Sequence, residues 1–397
     1  MRPHLHGIAV LCLFIVYGGT SANAFVEENM SLHGFVSQGY LKSTDNNYLG
    51  RSEKGSFEFN EIGINIYAPL TDDLSFGIQF FSRDMGDFGN NDMNIDYAAL
   101  NYNWRDWLAF HAGKIKLPFG LYNRKRNADM LRTSIVFPQS VYPEGFREFV
   151  VGLYGAGIHG VARIGSLGYL DYELFGGTVN LSGNSQYLQE LLNRYKDRLE
   201  ITDYELPEMG LAIDHVEGGM IIWNPPVAGL RLGGTCMRGS GEILMDPISV
   251  NFDIKGINTI SLEYDFKNFT FASEYMQIKI VTEIPVLPDV TTRLEGWYGE
   301  IAWQAVEWFA LGAAYGEYYP DAKDKDGSAF EDKDYPDFFG WQKDITISTK
   351  FNMNEYWCIK LETHFISGLG LANLDANPSQ DAEEEWMLFA AKVSLNF

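Results

Sequence analysis

The sequence predicts an all-β fold: a transmembrane antiparallel up-and-down β-barrel of about 16 strands, with a long third loop folded inward. Three observations predict it. Apolar residues recur at every second position in one stretch after another, the periodicity of a strand with one greasy face. Short turns alternate with longer polar loops along the chain. Aromatic residues gather beside the short turns, where a membrane-interface girdle would place them.

Composition narrows the field first. The chain has 397 residues, with 46% hydrophobic residues and no apolar run long enough for a spanning helix after the first segment. Closed barrels are then the only way to cross a bilayer with every backbone group satisfied. With 53 acidic against 30 basic residues the net charge is -23, which excludes nucleic acid as a partner. Residues 1–24 read as a cleaved secretory signal: Arg2 supplies the positive end, an apolar run follows, and Ala22-Asn23-Ala24 forms the cleavage site. The barrel domain is expected to occupy residues 25–397. Its two cysteines, Cys236 and Cys358, make no disulfide framework, and its histidines are too scattered for a metal site. No cofactor is expected.

The first strands fall at 32–41, 55–68, 74–83, 94–104 and 107–115. In the second, Ile62, Ile64 and Ile66 share one face; in the third, Leu74, Phe76, Ile78 and Phe80 do. Strands follow at 150–164, 168–179, 212–223, 230–239, 252–266, 269–280, 293–306, 309–319, 344–353 and 356–367. The last is EWMLFAAKVSLNF, with Met387, Phe389, Ala391, Val393, Leu395 and Phe397 on one face. Seven short turns, such as Arg105-Asp106 and Lys267-Asn268, separate eight longer loops: 42–54, 84–93, 116–149, 180–211, 240–251, 281–292, 320–343 and 368–384. Tyr67, Trp104, Trp107, Tyr169, Trp223, Phe266, Trp308, Tyr356, Trp357 and Phe397 lie at the short-turn end.

In a wide barrel the wetter face lines the lumen. Alternation assigns Arg163, Arg231, Glu263, Glu274, Glu300, Lys350, Lys360, Glu362 and Lys392 to that wall, with Glu58 among further candidates. The loop 116–149 is about twice the length of most others and carries its own apolar anchors, Leu131, Ile135, Val136 and Phe137. A loop of that kind can fold into the bore and narrow it. It carries Arg124, Lys125, Arg126, Arg132 and Arg147 against Asp129, Glu144 and Glu148; the five basic residues with Glu144 and Glu148 are the constriction candidates.

GKIKLPFG (113–120), the basic NRKR after it and REFVVGLYGAGIHG (147–160) resemble the phosphate-selective porin family of Gram-negative outer membranes. The resemblance covers about residues 107–165. It implies a homotrimer of barrels with an inward third loop, a passive diffusion channel for small hydrophilic solutes and ions, and Arg124, Lys125, Arg126 and Arg132 near its constriction. It also implies a non-enzymatic protein of the Gram-negative outer membrane, set in lipid and lipopolysaccharide and delivered to the assembly machinery through Phe397. The acidic balance leaves cation preference open beside anion or phosphate preference. A gated transporter and a barrel hydrolase are the other readings, although neither His159 nor His364 pairs with a serine in the pattern. An amphipathic stretch at 186–201 predicts a short loop helix. DAKDKDGSAFED (321–332) misses the calcium-loop template and reads as a solvated acidic loop.

Overall fold

A computed structural model describes residues 30–397 apart from 87–88, 181–208, 246–247, 284–287, 333–334 and 375. The expected signal at residues 1–24 and the expected helix at 186–201 lie outside the described residues. Sixteen strands close into one barrel, each antiparallel to its chain neighbours, with β1 (Ser31–Ser43) sealed against β16 (Glu385–Asn396). Closure leaves no strand edge unpaired, the condition that a hydrocarbon environment imposes.

Between them run β2 (Asn60–Pro69), β3 (Leu74–Asp84), β4 (Met93–Arg105), β5 (Leu108–Lys116), β6 (Gly152–Arg163), β7 (Tyr169–Thr178) and β8 (Met209–Asn224). The second half holds β9 (Leu230–Met245), β10 (Ile248–Phe266), β11 (Phe269–Glu283), β12 (Val290–Val306), β13 (Phe309–Tyr319), β14 (Gln342–Asn352) and β15 (Trp357–Gly368).

The last strand shows the facing rule most clearly. Trp386, Leu388, Ala390, Lys392 and Ser394 are buried toward the lumen, while Phe389 and Val393 stand exposed on the outside. An outward belt continues through Ile62, Ile64, Leu100, Leu174, Ile221, Ile260, Ile345 and Leu361. Trp104, Trp107, Tyr169, Trp308, Tyr356 and Phe397 stand exposed at its short-turn margin. The backbone of Phe397 is pinned by two bonds to Gly34, at 2.8 and 3.0 Å, so its ring is held at that margin.

Two expectations need correction. The loops drawn at 240–251 and 281–292 are largely strand: β9 and β10 pair as far as Met245 and Ile248, and β11 reaches Glu283. A Ser-Gly-Glu sequence reads as a turn, but a strand that rises beyond the bilayer needs no apolar outer face. Its outward residues there are indeed polar, with Asp253 and Lys255 on β10 and Glu217 and Arg238 paired across β8 and β9. The 19 residues of β10 far exceed the roughly 9–11 that a tilted spanning strand requires. The second correction is Glu58, which precedes β2 and is exposed; the inward acid at that edge is Glu61, paired with Lys392 at 2.6 Å.

Candidate functional site

The connection from β5 to β6, residues 117–151, folds into the bore and touches strands all around it. Its N-terminal part is set by Pro118 and Gly120. Thr235 on β9 donates to the Pro118 carbonyl at 2.9 Å. Gly120 sits at φ 57, and a β-carbon there would run into the Tyr142 hydroxyl and the Glu274 carboxylate. Only glycine takes this backbone shape and this approach without strain. Farther along, Ser140 lies so close to Gly296 of β12 that no side chain fits between them.

One tether is neutral in its donors. Glu274 of β11 is buried and accepts from the Leu121 N–H at 2.9 Å, the Ser261 hydroxyl at 2.5 Å and the Tyr298 hydroxyl at 2.8 Å, with the Tyr142 hydroxyl as a further donor. A buried carboxylate is tolerable when its lone pairs are used in this way. Apolar contacts surround it: Leu117, Phe119, Phe137, Val141 and Val150 of the loop pack in one core with Met237, Met276, Ile278 and Leu294 of the wall.

The opposite tether is ionic. Lys350, Lys360 and Lys392 lie side by side in one cross-strand row on β14, β15 and β16. Like charges directly opposite are unfavourable, and Asp129 of the loop answers them. Its carboxylate lies 2.9 Å from Lys360, 3.5 Å from Lys392 and 3.2 Å from Arg132, and accepts from Ser394 at 2.5 Å. Burial opposes ionisation of Asp129, but Lys360, Lys392 and Arg132 outweigh it and hold the carboxyl well below the usual range. Lys350 donates to the Met130 carbonyl. One turn farther, Glu362 accepts from the backbone N–H groups of Ile135 and Val136 at 2.7 and 3.0 Å.

A third cluster gathers arginines. Glu144 is buried against Arg126 at 2.6 Å, Arg147 at 3.8 Å and Arg83 of β3. Here too burial opposes ionisation, and the three arginines more than reverse it, so the carboxyl is depressed. Arg147 also donates to Asn127 at 2.6 Å and stacks over Phe81.

The candidate residues therefore divide. Arg126, Arg132, Arg147 and Glu144 meet within the loop and are neutralised there. Arg124 is half exposed and paired with Glu173 of β7, while Lys125 and Glu148 are exposed. Arg124 and Lys125 line a cavity of about 630 Å³ on the short-turn side of the loop, with Lys116, His33 and Glu355. Lys360, Lys392, Glu362, Glu274, Lys350 and Glu263 point inward but lie under the loop rather than against open water. Glu263 pairs with Arg231 at 2.7 Å and accepts from Tyr122 at 2.9 Å; Glu300 is partly buried near it, and Arg163 is exposed at the short-turn end. His364 is buried between Asp344 at 2.8 Å and Glu362 at 3.0 Å, with the Thr346 hydroxyl 3.1 Å from its Nδ1. In the acidic external loop, Asp324 caps one helical turn through Ser328 and Ala329. Of the residues that fix the loop, the sequence marks Asp129 as one of the loop charges, but it does not single out Tyr142 or Arg83, and it gives Glu61 no role beyond the wetter face of the second strand.

A second cavity, about 350 Å³, lies on the long-loop side of the same loop, lined by Leu117, Gln139, Phe146 and Val150 and by the wall of β8–β12. The two cavities share no lining residue, so residues 117–151 stand between them.

No family model matches the chain, and no curated protein matches it. Among solved structures it is similar to the anion-selective porin from Comamonas acidovorans, at 11% identity and TM-score 0.56, over 93% of this chain and 99% of that one. It is similar to OmpF of Salmonella typhi in complex with daunomycin, at 12% identity and TM-score 0.57, over 93% and 98%. The trimer form of OmpT, an outer membrane protein of Vibrio cholerae, matches at 10% identity and TM-score 0.53, over 93% and 99%. At these identities the likeness is one of fold: the chain has the architecture of outer-membrane porins. It does not separate a phosphate-selective barrel from other porins.

Proposed function

We propose that the chain forms an outer-membrane channel for passive diffusion of small hydrophilic solutes and ions, and is not an enzyme. One observation carries this reading: a closed barrel of 16 strands, apolar outside, whose third long connection folds into the bore between two cavities. Sixteen strands enclose an aqueous lumen when nothing fills it, and a loop of this kind sets the bore. The trimeric form of a similar barrel supports a homotrimer here. The exposed girdle and Phe397 support insertion among lipid and lipopolysaccharide by the outer-membrane assembly machinery.

The finer reading is a modest anion preference. It rests on exposed Lys125 in the short-turn-side cavity, beside Lys116 and Arg124, which pair with Asp96 and Glu173 at its wall, and not on Arg126, Arg132 or Arg147, which are buried against Glu144, Asp129 and Glu61. Fixed charges in a narrow bore act within a Debye length of about 8–10 Å, so the acidic external loops matter less. The test is the reversal potential of the refolded protein in a planar bilayer under a KCl gradient. Discrete steps that favour chloride, shifted toward potassium by Arg124→Glu with Lys125→Glu, are expected. Potassium preference in the unaltered protein would overturn the anion reading, and the absence of steps from a folded barrel would overturn the open channel in favour of a gated transporter.

A further inference from the structure

The inner wall of β9–β12 changes character along its height. Nearest the short turns, one cross-strand row reads Arg231, Glu263, Ala272, Glu300. Next come Gly233, Ser261, Glu274, Tyr298, then Thr235, Thr259, Met276, Gly296. The fourth row reads Met237, Ile257, Ile278, Leu294. Above it, Ile254 pairs with Ile280, and on β8 Ile213 and Val216 face the same space. At this height the outer face carries Lys255, Asp253, Glu217 and Arg238.

Polarity is thus inverted relative to the membrane belt below: water outside, aliphatic side chains inside. A channel wall that only conducts hydrophilic solutes has no use for this, since apolar lining favours loss of water from the bore. An aliphatic cavity with few polar groups is what a site for an apolar ligand requires.

We infer that the long-loop half of the lumen is a binding site for a small, uncharged, apolar molecule bearing at most one polar group. Size follows from volume. A cavity of about 150 Å³ lined by such residues accepts benzene, so 350 Å³ accepts a body of roughly two rings. Charge follows from the lining. Glu144 at the cavity floor is already met by Arg126 and Arg83, Gln139 is bonded to Phe137 and to the Glu144 N–H, and Arg238, whose position also borders the cavity, is paired with Glu217 on the outer face, so none offers a free counter-charge. The Thr282 and Thr292 hydroxyls at the wall can take one hydrogen bond.

The test uses the full barrel in lipid nanodiscs and 1-naphthol as probe, measured by equilibrium dialysis against empty discs. Binding is read without any current, so its failure is separable from failure of the channel reading. Saturable uptake of one probe per barrel is expected, unchanged in the outward-face variant Ile260→Ala. Affinity is expected to fall at least tenfold in Val216→Phe, which fills the cavity, and in Ile278→Asn, which wets it, with the strand signal in circular dichroism unchanged. Uptake no greater than that of empty discs would overturn the inference, as would affinity in both inward variants equal to that of the unaltered protein.

Discussion

On β14–β16 the inner wall presents Lys350, Lys360 and Lys392 in a single row, and the loop meets them with Asp129. On β9–β12 the inner wall presents Met237, Ile257, Ile278 and Leu294, and the loop meets their lower margin with Leu117 and Val150. The first contact is directional and depends on charge; the second is non-directional and scales with area. A charged row cannot stay buried without its partner, so it specifies where one segment of loop must lie. An aliphatic row tolerates any apolar neighbour and so leaves room above the loop. The difference teaches why the same loop can be fixed on one side of the bore and border a cavity on the other.

The comparison breaks most readily at Asp129. Asp129→Ala leaves Lys360 and Lys392 buried without this partner, and breaking a buried pair costs about 3–5 kcal/mol. Loop 117–151 is expected to lose its protection, visible as fast hydrogen exchange at Ile135 and Val136 and as cleavage at exposed Leu131; unchanged exchange would show that the ionic tether is dispensable. At the junction of the two walls, Tyr142→Phe removes one donor from buried Glu274 and should cost about 1–3 kcal/mol, read as a lower urea midpoint.

Acid probes the same charges without mutation. The carboxyls of Asp129 and Glu144 are depressed below their ordinary values of 3.8 and 4.5. Their contribution is therefore fully present above about pH 5 and is lost as pH falls through the depressed folded values. Loop protection by hydrogen exchange should hold from pH 7 to pH 5 and fail only in stronger acid; loss between pH 7 and pH 5 would contradict the depressed values.

On the aliphatic side, Ile280→Ala should cost only about 1–2 kcal/mol, because its side chain borders open cavity and the high end of the deletion range applies to close-packed sites. A cost equal to that of Asp129→Ala would mean that this wall, too, holds the loop. Smallest is Arg238→Ala on the outer face. Its pair with Glu217 is exposed, so the change in midpoint should be within about 1 kcal/mol.

Much of this molecule was legible in its residues. Strand number, closure and the short-turn margin follow from a period of two and from aromatic placement, because a bilayer demands both of any chain that crosses it as strands. Met387, Phe389 and Val393 could be assigned to the outer face from the sequence alone for that reason. Arg126, Arg132 and Arg147 could be picked out as loop charges, but not as neutralised ones. Their partners Glu144, Asp129 and Glu61 come from positions up to dozens of residues away, and only the folded loop brings them within reach. Likewise, Ile278 and Ile280 carry the same alternating pattern as a membrane-facing strand. The pattern fixes that one face is apolar; which way that face points at a given height depends on where water lies outside the barrel. Periodicity is local, whereas the pairing of buried charges and the inversion of the wall above the membrane are set by the closed tertiary structure.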